Sequence, residues 1–158
     1  MEIDQLDRQL IRCLQENPRE RYAVIARQLG TSESTVKRRI ETLFESGAIV
    51  MSVLPDLYAL GFRTSAVIGL KANLDESRRI AKELTMLPEV TYVALTTGRY
   101  DIVFHAAARA LDELQDFLAD RIAPMKGIRD TEIMVMPRML KGMRDWKLPI
   151  DDFELDHD

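Results

Sequence analysis

Apolar residues in the first 47 positions recur at the three- and four-residue spacing of helices that share one wall. Ile3, Leu6, Leu10, Cys13 and Leu14 predict a helix over residues 4–16, with Asp4 and Asp7 favourably placed at its positive N-terminal end. Tyr22, Ile25, Ala26 and Leu29 fall at i, i+3, i+4 and i+7 and mark a second helix. Val36, Ile40 and Leu43, with Phe44 at the margin, mark a third. Between the last two, Gly30-Thr31-Ser32 is a tight corner. Gly30 reaches the left-handed conformation that lets the chain reverse, and Ser32 caps the helix that follows.

The pattern changes after Gly47, which closes the third helix. Ala48 to Leu54 reads as a short apolar strand ended by Pro55-Asp56, a natural hinge. From residue 64 the order of predicted elements is a strand (64–72), a helix (75–87) with Ile80, Ala81, Leu84 and Leu87 on one face, and strands over 90–96 and 101–107. A helix marked by Leu111, Leu114, Phe117, Leu118 and Ile122 follows, and then a strand over 129–137. This β-α-β-β-α-β order is the split βαβ, ferredoxin-like unit, an antiparallel four-stranded sheet backed by two helices. The fold class expected is α+β. A three-helix, winged helix-turn-helix domain (1–48) is joined through a hinge strand and linker (49–62) to a ferredoxin-like domain (63–140), and a C-terminal extension (141–158) ends the chain. A sheet with helices on one side leaves the other uncovered, so pairing with a second copy through this domain is expected.

Composition narrows the function. A hydrophobic share of 46% is ordinary for a packed protein. No apolar run approaches the roughly 20 residues of a membrane helix, and no signal-peptide pattern opens the chain, so a cytoplasmic protein with no membrane partner is expected. The net charge of −4 argues against a non-specific DNA coat. Acidic and basic residues balance over residues 1–47 at 8 each, and the acidic surplus, 18 against 14, falls in 48–158. Residues 151–158 hold five of those acids, as in a frayed tail.

The third helix carries Lys37-Arg38-Arg39, with Ser32, Ser34 and Thr35 at its start. In a helix-turn-helix those N-terminal residues enter the major groove of double-stranded DNA, and a guanidinium such as that of Arg38 can grip guanine O6 and N7 together. The competing reading is a solvated helix face paired with Glu41 and Glu45. Arg39 lies beside the Val36/Ile40 stripe, where it can brace the fold instead. Arg27 on the second helix is a candidate phosphate contact or an ordinary surface charge. An enzyme is not expected. The two histidines are His105, in a strand, and His157, in the acidic tail; Cys13 sits on a core stripe; there is no phosphate-binding glycine loop, metal cluster or cofactor motif. Five methionines, Met125, Met134, Met136, Met139 and Met143, suggest packing in the core or a dimer.

Leu6-Asp7-Arg8 with Leu14-Gln15, Ala26 to Gly30, Ser32 to Val36 with Arg39, and Glu45 to Ile49 follow one another in the order of a known family. So do Leu60-Gly61-Phe62, Thr97 to Asp101, and Gly127-Ile128 with Thr131. Together they resemble the leucine-responsive/asparagine-responsive (Lrp/AsnC) transcription regulators over roughly residues 3–140. The resemblance implies a DNA-binding regulator that dimerises through its ferredoxin-like domain, assembles further into tetramers or octamers, and senses an amino acid or related metabolite. Taken alone, Gly98-Arg99-Tyr100-Asp101 is a hairpin turn in which Gly98 supplies an unusual backbone angle. The resemblance makes it the border of the effector pocket. Gly98, Tyr100, Asp101, Gly127 and Thr131 are then candidate effector residues, with Asp101 on the ammonium group and backbone N–H groups near Gly98 or Gly127 on the carboxylate. The alternative is a metabolite-sensing or protein-docking module that does not bind DNA. The extension beyond Lys141 does not map onto the family core.

Overall fold

A computed structural model describes residues 2–149. The expectations for the acidic tail and His157 lie outside that range. The described residues form two compact units, one made of 2–54 together with 141–149, the other of Pro55–Leu140.

In the first unit α1 (Gln5–Glu16), α2 (Tyr22–Leu29) and α3 (Glu33–Glu45) enclose a core of Leu10, Cys13, Ile25, Ala26, Val36, Ile40 and Leu43. These are the residues of the three helical stripes. Burial also raises the Cys13 thiol above its ordinary range, which favours the protonated form. Asp4 caps α1 reciprocally: its carboxylate accepts the Asp7 N–H at 2.9 Å, and Asp7 accepts the Asp4 N–H at 3.2 Å. Gly30 ends α2 at φ 66°, ψ 33°, and Ser32 accepts the Thr35 N–H at 3.1 Å to start α3. The hinge strand and the wing are not formed. Residues 48–63 contain no strand, and Val50 and Val53 are 84% and 92% exposed. A strand needs a ladder partner, and within one chain this segment has none.

The second unit holds β1 (Thr64–Ala72), α4 (Ser77–Leu84), β2 (Val90–Leu95), β3 (Ile102–Ala108), α5 (Leu111–Phe117) and β4 (Ile128–Val135). A π turn, Leu118–Ile122, prolongs α5. α4 is shorter than its apolar pattern suggests, because 73–76 and 85–86 form turns at its two ends. The sheet is antiparallel in the order β2-β3-β1-β4, the ferredoxin-like arrangement. Ala66, Ile68, Leu70, Ile102 and Phe104 meet Ile80, Leu84, Leu114 and Phe117 in its core. The opposite face, with Val67, Gly69, Val103 and His105, is left without helices. β4 extends past the helical layer: Ile133 and Val135 register with core residues Ile68 and Ala66, yet are 46% and 47% exposed. The methionines do not fill this core. Met125 packs against it, whereas Met134, Met139 and Met143 are exposed.

Candidate DNA interface and effector site

Three consecutive cations on α3 have three different surroundings, and helical geometry explains why. A step of about 100° per residue turns Arg39 toward α1, where it reaches Asp4 at 2.8 Å and Asp7 at 3.2 Å. The Asp7 carboxylate is fully buried, so Arg39 neutralises a charge that would otherwise be stranded in the core. Asp4 feels the same ion. The Asp7 N–H, helped by the Arg39 charge, holds its carboxyl below the ordinary 3.8. Lys37 faces solvent 3.9 Å from Glu41, a loose pair of the kind expected from i, i+4 spacing. Arg38 is exposed, and its guanidinium has no partner among the described residues. Thr42 donates to its backbone carbonyl at 2.9 Å.

At the start of α3 the Ser32 hydroxyl lies 3.0 Å from that of Ser34 and 2.8 Å from that of Thr35. The cap therefore presents a cluster of hydroxyls beside Lys37 and Arg38. Arg27 is exposed on α2 and bends back to the Ala23 carbonyl at 3.4 Å. The sequence pattern offers Arg39 as a DNA contact, with a structural brace as the competing reading. The structure commits that side chain to Asp4 and Asp7.

The candidate effector residues gather where β1 ends and β3 and β4 begin. A register shift between Lys71 and Ala72 interrupts the β1–β4 ladder. The Asp101 carboxylate accepts the Ala72 N–H at 2.9 Å at that break, and Arg129 approaches it to 3.7 Å. Gly127 sits at φ 92°, and its carbonyl accepts the Asn73 N–H at 2.9 Å. Any Cβ there would lie 2.8 Å from Glu76 Cβ. Gly98 does not supply a positive backbone angle; its φ is ordinary and the space around it is open. The turn bends without it, so its absence of side chain is not required by the fold.

Tyr100 lies flat against Gly69 on the uncovered sheet face, its Cγ only 2.6 Å from where a Gly69 Cβ would be. Its hydroxyl is buried and has no partner among the described residues. Arg99 crosses over the ring at 5.3 Å and pairs with Glu132 at 3.1 Å. Thr131 is exposed opposite Leu70. The roles of Gly69, Arg129 and Glu132 were not read from the sequence, since only strand register brings them to the turn. Two surface depressions of about 480 and 490 Å³ in this unit have no candidate effector residue in their lining, although Glu76 and Lys126 of the first adjoin Gly127. Among the described residues no group of metal-ligating side chains comes together, and no helix is long and apolar enough to cross a membrane.

A capped helix-turn-helix with open cations, followed by a ferredoxin-like domain, defines a class: DNA-binding regulators that carry a ligand-binding domain. Residues 3–43 match the AsnC-type helix-turn-helix domain, and residues 65–145 match the Lrp/AsnC ligand binding domain. The chain is 33% identical over 142 residues to an HTH-type transcriptional regulator of Pyrococcus abyssi, covering 89% of this chain and 90% of that one. It is 35% identical over 139 residues to the regulatory protein AsnC of Escherichia coli, covering 85% and 90%. The solved structure of that AsnC superposes with a TM-score of 0.84 at 28% identity over 91% of this chain and 99% of the other. A Neisseria meningitidis transcriptional regulator solved in complex with L-methionine shares the fold, with a TM-score of 0.85 at 21% identity over 95% and 98%. The chain belongs to the Lrp/AsnC family of transcriptional regulators, and it is not an enzyme.

Proposed function

We propose that α3 is the recognition helix, with Ser34, Thr35, Lys37 and Arg38 on the major groove, and Ser32 and Arg27 toward the phosphates. The observation that carries this reading is the contrast within one tripeptide: the fold uses Arg39 and leaves Lys37 and Arg38 on the open face. Two such helices about 34 Å apart, supplied by a dimer, fit successive major grooves of a pseudo-palindromic site. The unpaired hinge and the uncovered sheet face support pairing with a second copy, and the half-exposed β4 residues support further assembly into tetramers or octamers. The effector is an amino acid held at the turn Gly98–Asp101 with Gly127 and Thr131. The Neisseria protein's complex with L-methionine is the relative that supports this ligand class. A regulator acting on the chromosome works in the cytoplasm.

The test is the salt dependence of DNA binding after Lys37→Ala with Arg38→Ala. Every phosphate left without its protein cation lowers the slope of log K against log salt by about 0.9. If both residues touch phosphate in both heads of the dimer the slope falls by about 3.6, and if Arg38 reads a base it falls by about half that and sequence preference relaxes. Unchanged affinity and slope would place the DNA surface elsewhere.

A further inference from the structure

The C-terminal extension packs with the helical head and not with the sheet that precedes it. After a single 3-10 turn, Met143–Asp145, the chain reaches the last turn of α1 and is held there by one side chain above all. Gln15 Oε1 accepts the Leu148 N–H at 2.8 Å, and Gln15 Nε2 donates to the Trp146 carbonyl at 3.5 Å. Arg12, one turn earlier, donates to the Leu148 carbonyl at 3.3 Å. Lys147 Nζ donates to the backbone carbonyl of Gln15. That carbonyl is one of the last four of α1, which have no acceptor role within the helix. α1 has no basic residue in its own last turn, so the Lys147 ammonium supplies the cation that the negative end of the helix dipole favours. Lys147, Leu148 and Pro149 are partly buried.

We propose that residues 146–149 are a strap whose docking on α1 holds the head at a second point. The chain passes between its two units after Leu54 and again after Leu140, so a docked strap turns a single tether into a double one. Gln15 and Lys147 are its positioning residues. A doubly tethered head samples fewer orientations, which raises the effective concentration of the second head once the first is bound to a two-site duplex. This consequence rests on the DNA-binding reading; the docking itself does not.

Trp146 is the single tryptophan of the chain and sits in the strap, 44% exposed. Its fluorescence therefore reports docking without any DNA. In the full-length protein, Gln15→Ala and Lys147→Ala should each shift its emission to the red and increase its quenching by acrylamide, with helix content by circular dichroism unchanged. Identical emission and quenching in both variants would overturn the strap. Should Gln15→Ala lose helix content, Lys147→Ala decides, because Lys147 reaches α1 from outside the head core. The same variants should bind a two-half-site duplex about three- to tenfold more weakly, and a single half-site equally well. Equal loss on both duplexes, or none, would overturn the positioning role. A wild-type chain that binds no duplex would overturn the DNA reading and that role with it, while docking is judged by Trp146 alone.

Discussion

On the recognition face of the helical head the Arg38 guanidinium is left out of the fold's own bonding and Lys37 has only a loose pair with Glu41, whereas the sheet domain builds several of its candidates into the fold. Lys37 and Arg38 stand on an open helix face, and the buried charge of the head is answered by Arg39. In the sheet domain, Asp101 already accepts the Ala72 N–H at the ladder break, and Tyr100 is pressed on Gly69. A surface of the first kind can bind DNA with little rearrangement. A site of the second kind binds by exchanging partners, so ligand and fold compete for the same groups. That makes it suited to coupling a ligand to a change of state, because a ligand shifts an equilibrium only through groups that differ between states.

The largest effect should separate fold from ligand within the proposed effector site. Gly127→Ala places a Cβ 2.8 Å from Glu76 Cβ at φ 92°, and the strain and overpacking together should cost about 2–3 kcal/mol by urea unfolding. Gly98→Ala meets open space at an ordinary backbone angle and should stay within about 0.5 kcal/mol of the parent. Loss of the effector response in a stable Gly98→Ala protein would then assign Gly98 to the ligand. A stability loss as large as that of Gly127→Ala would show that the fold needs Gly98 after all.

A slightly smaller effect should separate neighbours on α3. Arg39→Ala strands the buried Asp7 carboxylate and should destabilise the head by about 2 kcal/mol, while Arg38→Ala changes stability by less than about 0.5 kcal/mol. For DNA affinity at a stability-permissive temperature the order reverses. If Arg38→Ala proved the more destabilising of the two, the division of labour on α3 would be wrong.

How far each of these was visible in the sequence follows from the range of the interactions involved. Helix stripes, the Gly30 corner, the Ser32 cap and the β-α-β-β-α-β order depend on residues within a few positions of each other, and period alone exposes them. The brace from Arg39 to Asp4 and Asp7, the stacking of Tyr100 on Gly69 and the grip of Gln15 on residues 146–148 join positions far apart in the chain, up to 133 residues for Gln15 and Leu148. No local pattern encodes such pairs. The hinge misled for a related reason: its apolar residues do favour a strand, but no strand among the described residues pairs with it. The ordinary angle at Gly98 shows that a glycine between two strands is not by itself a sign of a strained turn.

The smallest predicted effect concerns the uncovered face of the sheet. His105 lies there opposite Val67 of β1 and Tyr92 of β2, with Thr91 Oγ1 hydrogen-bonded to its Nδ1 and its Nε2 buried. Burial holds its pKa below the ordinary 6.5, because the charged ring loses hydration. A histidine with a lowered folded-state pKa contributes stability that is fully present above the unfolded value of 6.5 and is lost as pH falls through the folded value. The urea midpoint of the sheet domain should therefore decline from about pH 7.5 to about pH 5, and His105→Gln should remove that part of the decline. The head, whose depressed Asp4 titrates below 3.8, should keep its midpoint over the same interval. A second copy seated on the open face would bury His105 further and steepen the decline at concentrations where the protein is associated. A slope that does not change with protein concentration would mean that the partner copy covers some other surface.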